Sequence, residues 1–286
     1  MSARQWQLTP SFITSTLARQ AKRLCAPILM AMSASTVLPA QAATLIYNTD
    51  YLEYSLPEAV SEACLSKDNC PEVHIQYLAT NHAWMNTIVN DLVNELATDG
   101  RDMSAPASES VKSKPKSAAA VKTSLDEFTQ SQMADLPADS MLHYSIDVQP
   151  EYLGHVGDFE LFEVSSYLYL GGAHGMPYVE YVLLDSQNKR RLGLDDLLIA
   201  AAKPKFEALA YNAYKNWVKD FTNDVAEYEK NWPFSMTDNV SLNDQGVVLK
   251  YQSYAIAPYA SGQPELVIPY NKLAGVLRPQ YLSAHR

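Results

Sequence analysis

Two loops, far apart in the sequence, carry residue types that could bind a ligand or take part in chemistry. The first is Gly171, Gly172, Ala173, His174 and Gly175, at the end of an aromatic-rich run. Paired glycines let a backbone pass close to a ligand or take positive φ. A histidine beside them could donate to a ligand, titrate near neutrality or bind a metal. The plainer reading is a turn whose histidine caps carbonyls or packs on tyrosines, because no second His, Cys or acid sits at ligand spacing. The second loop is Ala257, Pro258, Tyr259, Ala260, Ser261 and Gly262. Pro258 stiffens it, and a tyrosine presented on a rigid loop loses little entropy on binding. Gly262 permits a sharp turn. Ser261 has no neighbour in the sequence to activate it and does not read as a nucleophile. Tyr259 either binds a partner or covers the edge of the core, and both readings stand at this level.

The remaining candidates are weaker. His74 and His82 flank a strand-to-helix turn, and sharing a metal would need a tight reversal. His143 and His155 fall on an outer strand face and in a loop. Asp195 and Asp196 are consecutive, so on a helix they diverge; they read as acids at a helix start rather than as an acid–base pair. Walker, dinucleotide, zincin and nucleophile-elbow motifs do not occur. No catalytic constellation, metal site or cofactor is expected.

The N-terminus bounds the compartment. Residues 1–42 read as an export leader: Arg4, Arg19, Lys22 and Arg23 give a basic region without acids, and an apolar run over 26–38 follows. That run is too short to span a bilayer. Ala40, Gln41 and Ala42 offer a small-x-small cleavage site before Ala43, so no membrane span is expected after cleavage. An uncleaved anchor is the alternative. Cleavage would remove Cys25 and leave Cys64 and Cys70 with five residues between them. In an oxidising compartment, periplasmic or secreted, this spacing reads as a local disulfide; a pair of free thiols is the rival. The 286-residue chain carries 22 basic and 32 acidic side chains, net −10, and loss of the leader makes it more acidic. This argues against nucleic acid and suits a basic partner.

Periodicity places the elements. Residues 43–54 and 72–78 read as strands. Met85, Ile88, Val89, Leu92, Val93 and Leu96 form one apolar stripe, predicting a helix from Asn81 to about Thr98. Residues 100–123 lose this period and are rich in Ser, Ala, Pro and Lys, as in a linker. They separate a small N-terminal α/β part (43–99), too small to bury a core alone, from a larger part (124–286). There a helix is expected from Ser124, with strands over 141–149, 159–170 and 177–185 and a turn at 186–189. A second helical stripe runs from Phe206 to Phe221; strands at 247–251 and 265–270 and a short helix over 273–277 follow. Short turns favour antiparallel pairing, and clustered helices indicate an α+β fold: an antiparallel sheet with helices packed on one face.

Several of these segments together resemble the extracytoplasmic domain family of the RsiV-type lysozyme-sensing anti-sigma factors. The resemblance is carried in order by the Asn-containing helix over 84–96, by Tyr169 to Gly175, by Leu183 to Leu197, and by Gly246 to Tyr270 with its Tyr254–Gly262 loop. It covers roughly 124–286 and is interrupted before that by the linker. The family implies a mixed α/β extracytoplasmic domain that in the anti-sigma factors binds lysozyme; it also accompanies cell-wall deacetylase domains. This chain has neither a sigma-binding region nor a deacetylase domain. What the resemblance implies is an exported, non-enzymatic envelope protein recognising a lysozyme-like muramidase through Gly171, Gly172, His174, Pro258, Tyr259 and Ser261. The alternative is a protein that binds or modifies cell-wall glycan, such as a peptidoglycan fragment, with His174 in the cleft.

Overall fold

The alternation of residues 159–170 decides the architecture. Phe159 and Leu161 enter one buried cluster, and Phe162, Val164 and Leu168 enter another on the opposite face. A strand apolar on both faces must be covered twice. In the computed structural model, which describes residues 45–98, 116–137 and 139–283, it is. The export leader expected over 1–42 and most of the expected linker lie outside the described residues.

The main sheet has six strands in chain order: β1 (Tyr47–Tyr51), β2 (Glu72–Thr80), β3 (Tyr144–Val156), β4 (Phe159–Leu170), β5 (Met176–Asp185) and β6 (Arg190–Leu192). All neighbours are antiparallel except β2 and β3, which run parallel. Parallel neighbours need a long crossover; α2 (Ala83–Thr98) and α3 (Ala118–Asp135) lie between them in the chain. A smaller antiparallel sheet joins β7 (Val240–Leu242), β8 (Gly246–Lys250) and β9 (Glu265–Pro269). The other helices are α1 (Glu58–Leu65), α4 (Leu194–Leu197), α5 (Lys203–Val218), α6 (Val225–Asn231) and α7 (Pro279–Ser283). The fold is α+β, as the sequence predicts, but its helices do not share one face. Val89, Val93, Leu125 and Phe128 of α2 and α3 pack on one side of the main sheet. Phe206, Ala210 and Tyr214 of α5, with the small sheet, pack around Leu161, Leu183 and Leu192.

Side-chain amides complete strands that run past their neighbours. β2 pairs with β3 only from Glu72 to Ile75. Beyond that, Asn90 accepts from Leu78 N and donates to Leu78 O at 2.7 and 3.0 Å. One turn earlier on α2, Asn86 does the same for Thr80 at 2.8 and 3.1 Å. The pattern recurs on β5, which pairs with β6 only near its end. Asn239 accepts from Tyr181 N and donates to Val179 O, and Gln252 accepts from Val179 N and donates to Val179 O. Each amide supplies the donor and acceptor that a missing strand would supply, as buried backbone requires.

Four local expectations are corrected. α3 begins at Ala118, not Ser124, because the Ser117 hydroxyl accepts from Ala120 N and starts it earlier. α5 ends at Val218, which leaves Phe221 exposed instead of in the stripe. Residues 273–277 form turns, and the closing helix starts after them at Pro279, a residue suited to a first helical turn. β3 continues through the buried Pro150 to Val156. Cys64 and Cys70 are disulfide-bonded, as their spacing predicts. No described helix is long and apolar enough to cross a membrane.

Candidate functional site

The two loops meet. Val179 and the Gln252 amide hold the second loop against β5. The chain then turns through Pro258, at φ −65°, into a 3₁₀ turn, Tyr259–Ser261, that ends at Gly262 with φ +67°. This aims Tyr259 at the β4–β5 connection, where its hydroxyl donates to Gly175 O at 2.8 Å. Its ring stacks on the His174 imidazole, centroids 4.0 Å apart and planes at 25°. His174 Nδ1 lies 3.0 Å from the same carbonyl. Since the carbonyl can only accept, Nδ1 carries the proton, and Nε2 is left as the second ring nitrogen of an exposed side chain.

The first loop is built from its glycines. Gly171 adopts φ +75°, and a Cβ there would sit 2.9 Å from Leu136. Gly172 is exposed, and its carbonyl accepts from Tyr169 Oη. Gly175 N donates to Tyr167 Oη at 3.0 Å, and a Cβ on Gly175 would lie 2.4 Å from the Tyr167 ring. Thus His174, Pro258 and Tyr259 come together. Gly171 and Gly172 shape the loop from behind. Ser261 is exposed, and its backbone N–H closes the 3₁₀ turn onto Pro258 O.

Two residues of this region are not among the site candidates the sequence singles out. Tyr254 lies 5.7 Å from Tyr259, and Trp232 lies 6.5 Å from Tyr254. His174, Tyr259, Tyr254 and Trp232 therefore form a continuous aromatic strip. Tyr254 is 46% exposed and has φ +69°, a conformation that costs a non-glycine residue energy and is held only by its surroundings. Its position in a segment rich in Gly, Pro and Ser was the available clue.

The charged groups of the described residues lie elsewhere. Among the described residues, no carboxylate lies within ion-pair distance of His174. The strongest titration shifts belong to tyrosines elsewhere, such as Tyr178, pushed up by burial and by Glu180. That direction opposes activation. Asp196 accepts from Gly193 N at 3.0 Å and caps α4, its expected role. Glu72 lies 3.9 Å from His74 and 3.7 Å from His143 on the exposed sheet face. No group of three or more His, Cys, Asp and Glu among the described residues is arranged to hold a metal.

Fold and site together define an α+β scaffold that presents an aromatic strip built from two loops. Residues 195–271 match the family described as "Protein of unknown function (DUF3298)". The matched segment includes the Tyr259 loop and stops short of the Gly171–Gly175 loop. A DUF3298 family protein from Pseudomonas aeruginosa PAO1 is 26% identical, with 83% of this chain and 94% of that one covered and a TM-score of 0.58. A DUF3298 member from Bacteroides fragilis NCTC 9343, 18% identical, shares the fold over 85% of this chain and 98% of its own, with a TM-score of 0.59. No curated protein matches the chain.

Proposed function

We propose that this protein is an exported, non-enzymatic binding protein of the cell envelope, and that its partner is a lysozyme-like muramidase. The observation that carries the reading is the fixed aromatic strip. Tyr259 is tied to Gly175 through its hydroxyl and to His174 through its ring, so little freedom is lost when it seats in a partner. Exposed, pre-organised tyrosine and tryptophan are the side chains that anchor protein interfaces. The choice of partner is supported by the resemblance to the lysozyme-sensing domains and by the net charge of −10, which favours encounter with a basic protein.

The catalytic alternative on cell-wall glycan requires His174 to act as a base. The Gly175 carbonyl fixes the tautomer of His174, but it carries no negative charge to stabilise the imidazolium that a base becomes, as a carboxylate would. A muramidase assay with increasing amounts of the chain tests the proposal. Stoichiometric inhibition of a c-type lysozyme is the expected result. Unchanged lysozyme activity together with release of product from peptidoglycan would replace it with the catalytic reading.

A further inference from the structure

A second site lies away from the strip, toward the other end of β4. Leu161 and Tyr167, whose hydroxyl meets the first loop, are six positions apart on the strand, about 20 Å. Here the β3–β4 hairpin and the small sheet border an open-sided cavity of about 310 Å³. A bulge makes it: the register shifts between Tyr152 and Gly154, Gly154 takes φ +111°, and the extra residue Leu153 joins His155 in the wall. Leu161, Leu242 and Val248 supply further apolar surface.

The polar groups are few and specific. Ser241 is 2% exposed and lines the cavity, and its hydroxyl makes no hydrogen bond to any other described residue. A buried hydroxyl in this state favours a ligand that satisfies it. Glu265 also lines the cavity. Its Oε1 accepts from Lys250 Nζ at 2.7 Å and from Tyr181 Oη at 2.8 Å, which keeps it a carboxylate with Oε2 as a further acceptor. Asp244 adds negative charge to the lining.

These features sort ligands by chemistry. An anion meets Glu265 and Asp244. An ammonium group at Glu265 meets the charge of Lys250, which already occupies it. A neutral group that donates to a carboxylate, accepts from a hydroxyl and shows a small hydrocarbon surface to Leu and Val fits all three. A secondary amide with an acyl methyl has that combination, and Asn243, Asp244 and His155 around it suit hydroxyl groups. We infer that this cavity binds an N-acetylated hexosamine. The inference stands on different residues from the aromatic strip and does not depend on the muramidase reading.

The test is a titration of the ¹⁵N-labelled protein with N-acetylglucosamine, with glucosamine and glucose as comparisons, followed by amide chemical shifts. Saturable shifts at Leu161, Ser241 and Val248 with N-acetylglucosamine, and responses at least about tenfold weaker with the other two sugars, are expected, since each loses the amide. Ser241→Ala should weaken binding by roughly tenfold, the loss of one hydrogen bond. Leu153 is 43% exposed, so Leu153→Trp can fill the cavity mouth without disturbing the core, and it should abolish the shifts. No saturable shift at these amides overturns the inference. So does an equal response to glucose, or binding indifferent to both variants.

Discussion

His174 and Tyr259 lie on different loops, yet their rings stack 4.0 Å apart and both reach the Gly175 carbonyl. The stack connects the β4–β5 connection to the loop that follows β8 and makes the two loops one surface.

Removing the Tyr259 ring should weaken partner binding more than it weakens the fold. Tyr259 is partly exposed. Tyr259→Ala is expected to cost about 2 kcal/mol of binding, the size of an interface anchor, with a thermal midpoint close to that of the parent. Tyr259→Phe keeps the ring and loses the bond to Gly175, so it should fall between the two. Calorimetric titration with a c-type lysozyme checks both; equal affinity of parent and alanine variant removes Tyr259 from the interface.

Asn90→Ala leaves the Leu78 N–H and C=O without partners beside a residue that is 3% exposed. A loss of about 2 kcal/mol in denaturant unfolding is expected, the desolvation penalty of unmet buried backbone groups. A change within a few tenths of a kcal/mol would show that the amide does not complete the strand.

Gly246→Ala places a Cβ 2.0 Å from the Ile268 carbonyl oxygen across the β8–β9 pair. Backbone cannot swing away as a side chain can, so the pair must part, at a cost of about 2 kcal/mol or more. The midpoint of urea unfolding measures it.

Lys250 should make stability depend on pH. Burial alone would raise Glu265, but the hydrogen bonds from Lys250 and Tyr181 outweigh it and hold Glu265 below its ordinary 4.5. A depressed carboxylate contributes stability above its unfolded value and loses it as pH falls through the folded one. Glu163, 4.0 Å from Lys250, is raised by burial in spite of that lysine, so its contribution runs the other way and is lost as pH rises. Lys250→Met withdraws support from both. Its deficit should be greatest at neutral pH, about 1 kcal/mol because Glu265 is partly exposed to screening solvent although Lys250 is not, and should shrink as both carboxylates protonate. A deficit that does not change with pH contradicts this account.

What the sequence made legible follows from how local each signal is. The stripe of α2 and the strand over 159–170 are short-range signals and appear where the sequence puts them, whereas the stripe of α5 stops three residues before Phe221. Pro150 did not read as strand because a proline cannot donate to a central ladder. It is accommodated because β2 pairs with β3 only as far as Val148, so no ladder exists on that edge. Which amides would stand in for missing strands also depends on tertiary partners: Asn86, Asn90, Asn239 and Gln252 look like ordinary polar residues in sequence. At the site, His174, Pro258 and Tyr259 could be singled out by loop chemistry, whereas Tyr254 and Trp232 join them only through packing.

The central claim is that the aromatic strip binds a muramidase. Its most direct test is calorimetric titration of the protein with a c-type lysozyme at low and physiological salt, with Tyr254→Ala and Tyr259→Ala alongside. The account predicts saturable one-to-one binding that persists at physiological salt and is weakened by both variants. Binding that disappears at physiological salt would be charge attraction alone, and that result, or binding that ignores both tyrosines, contradicts it.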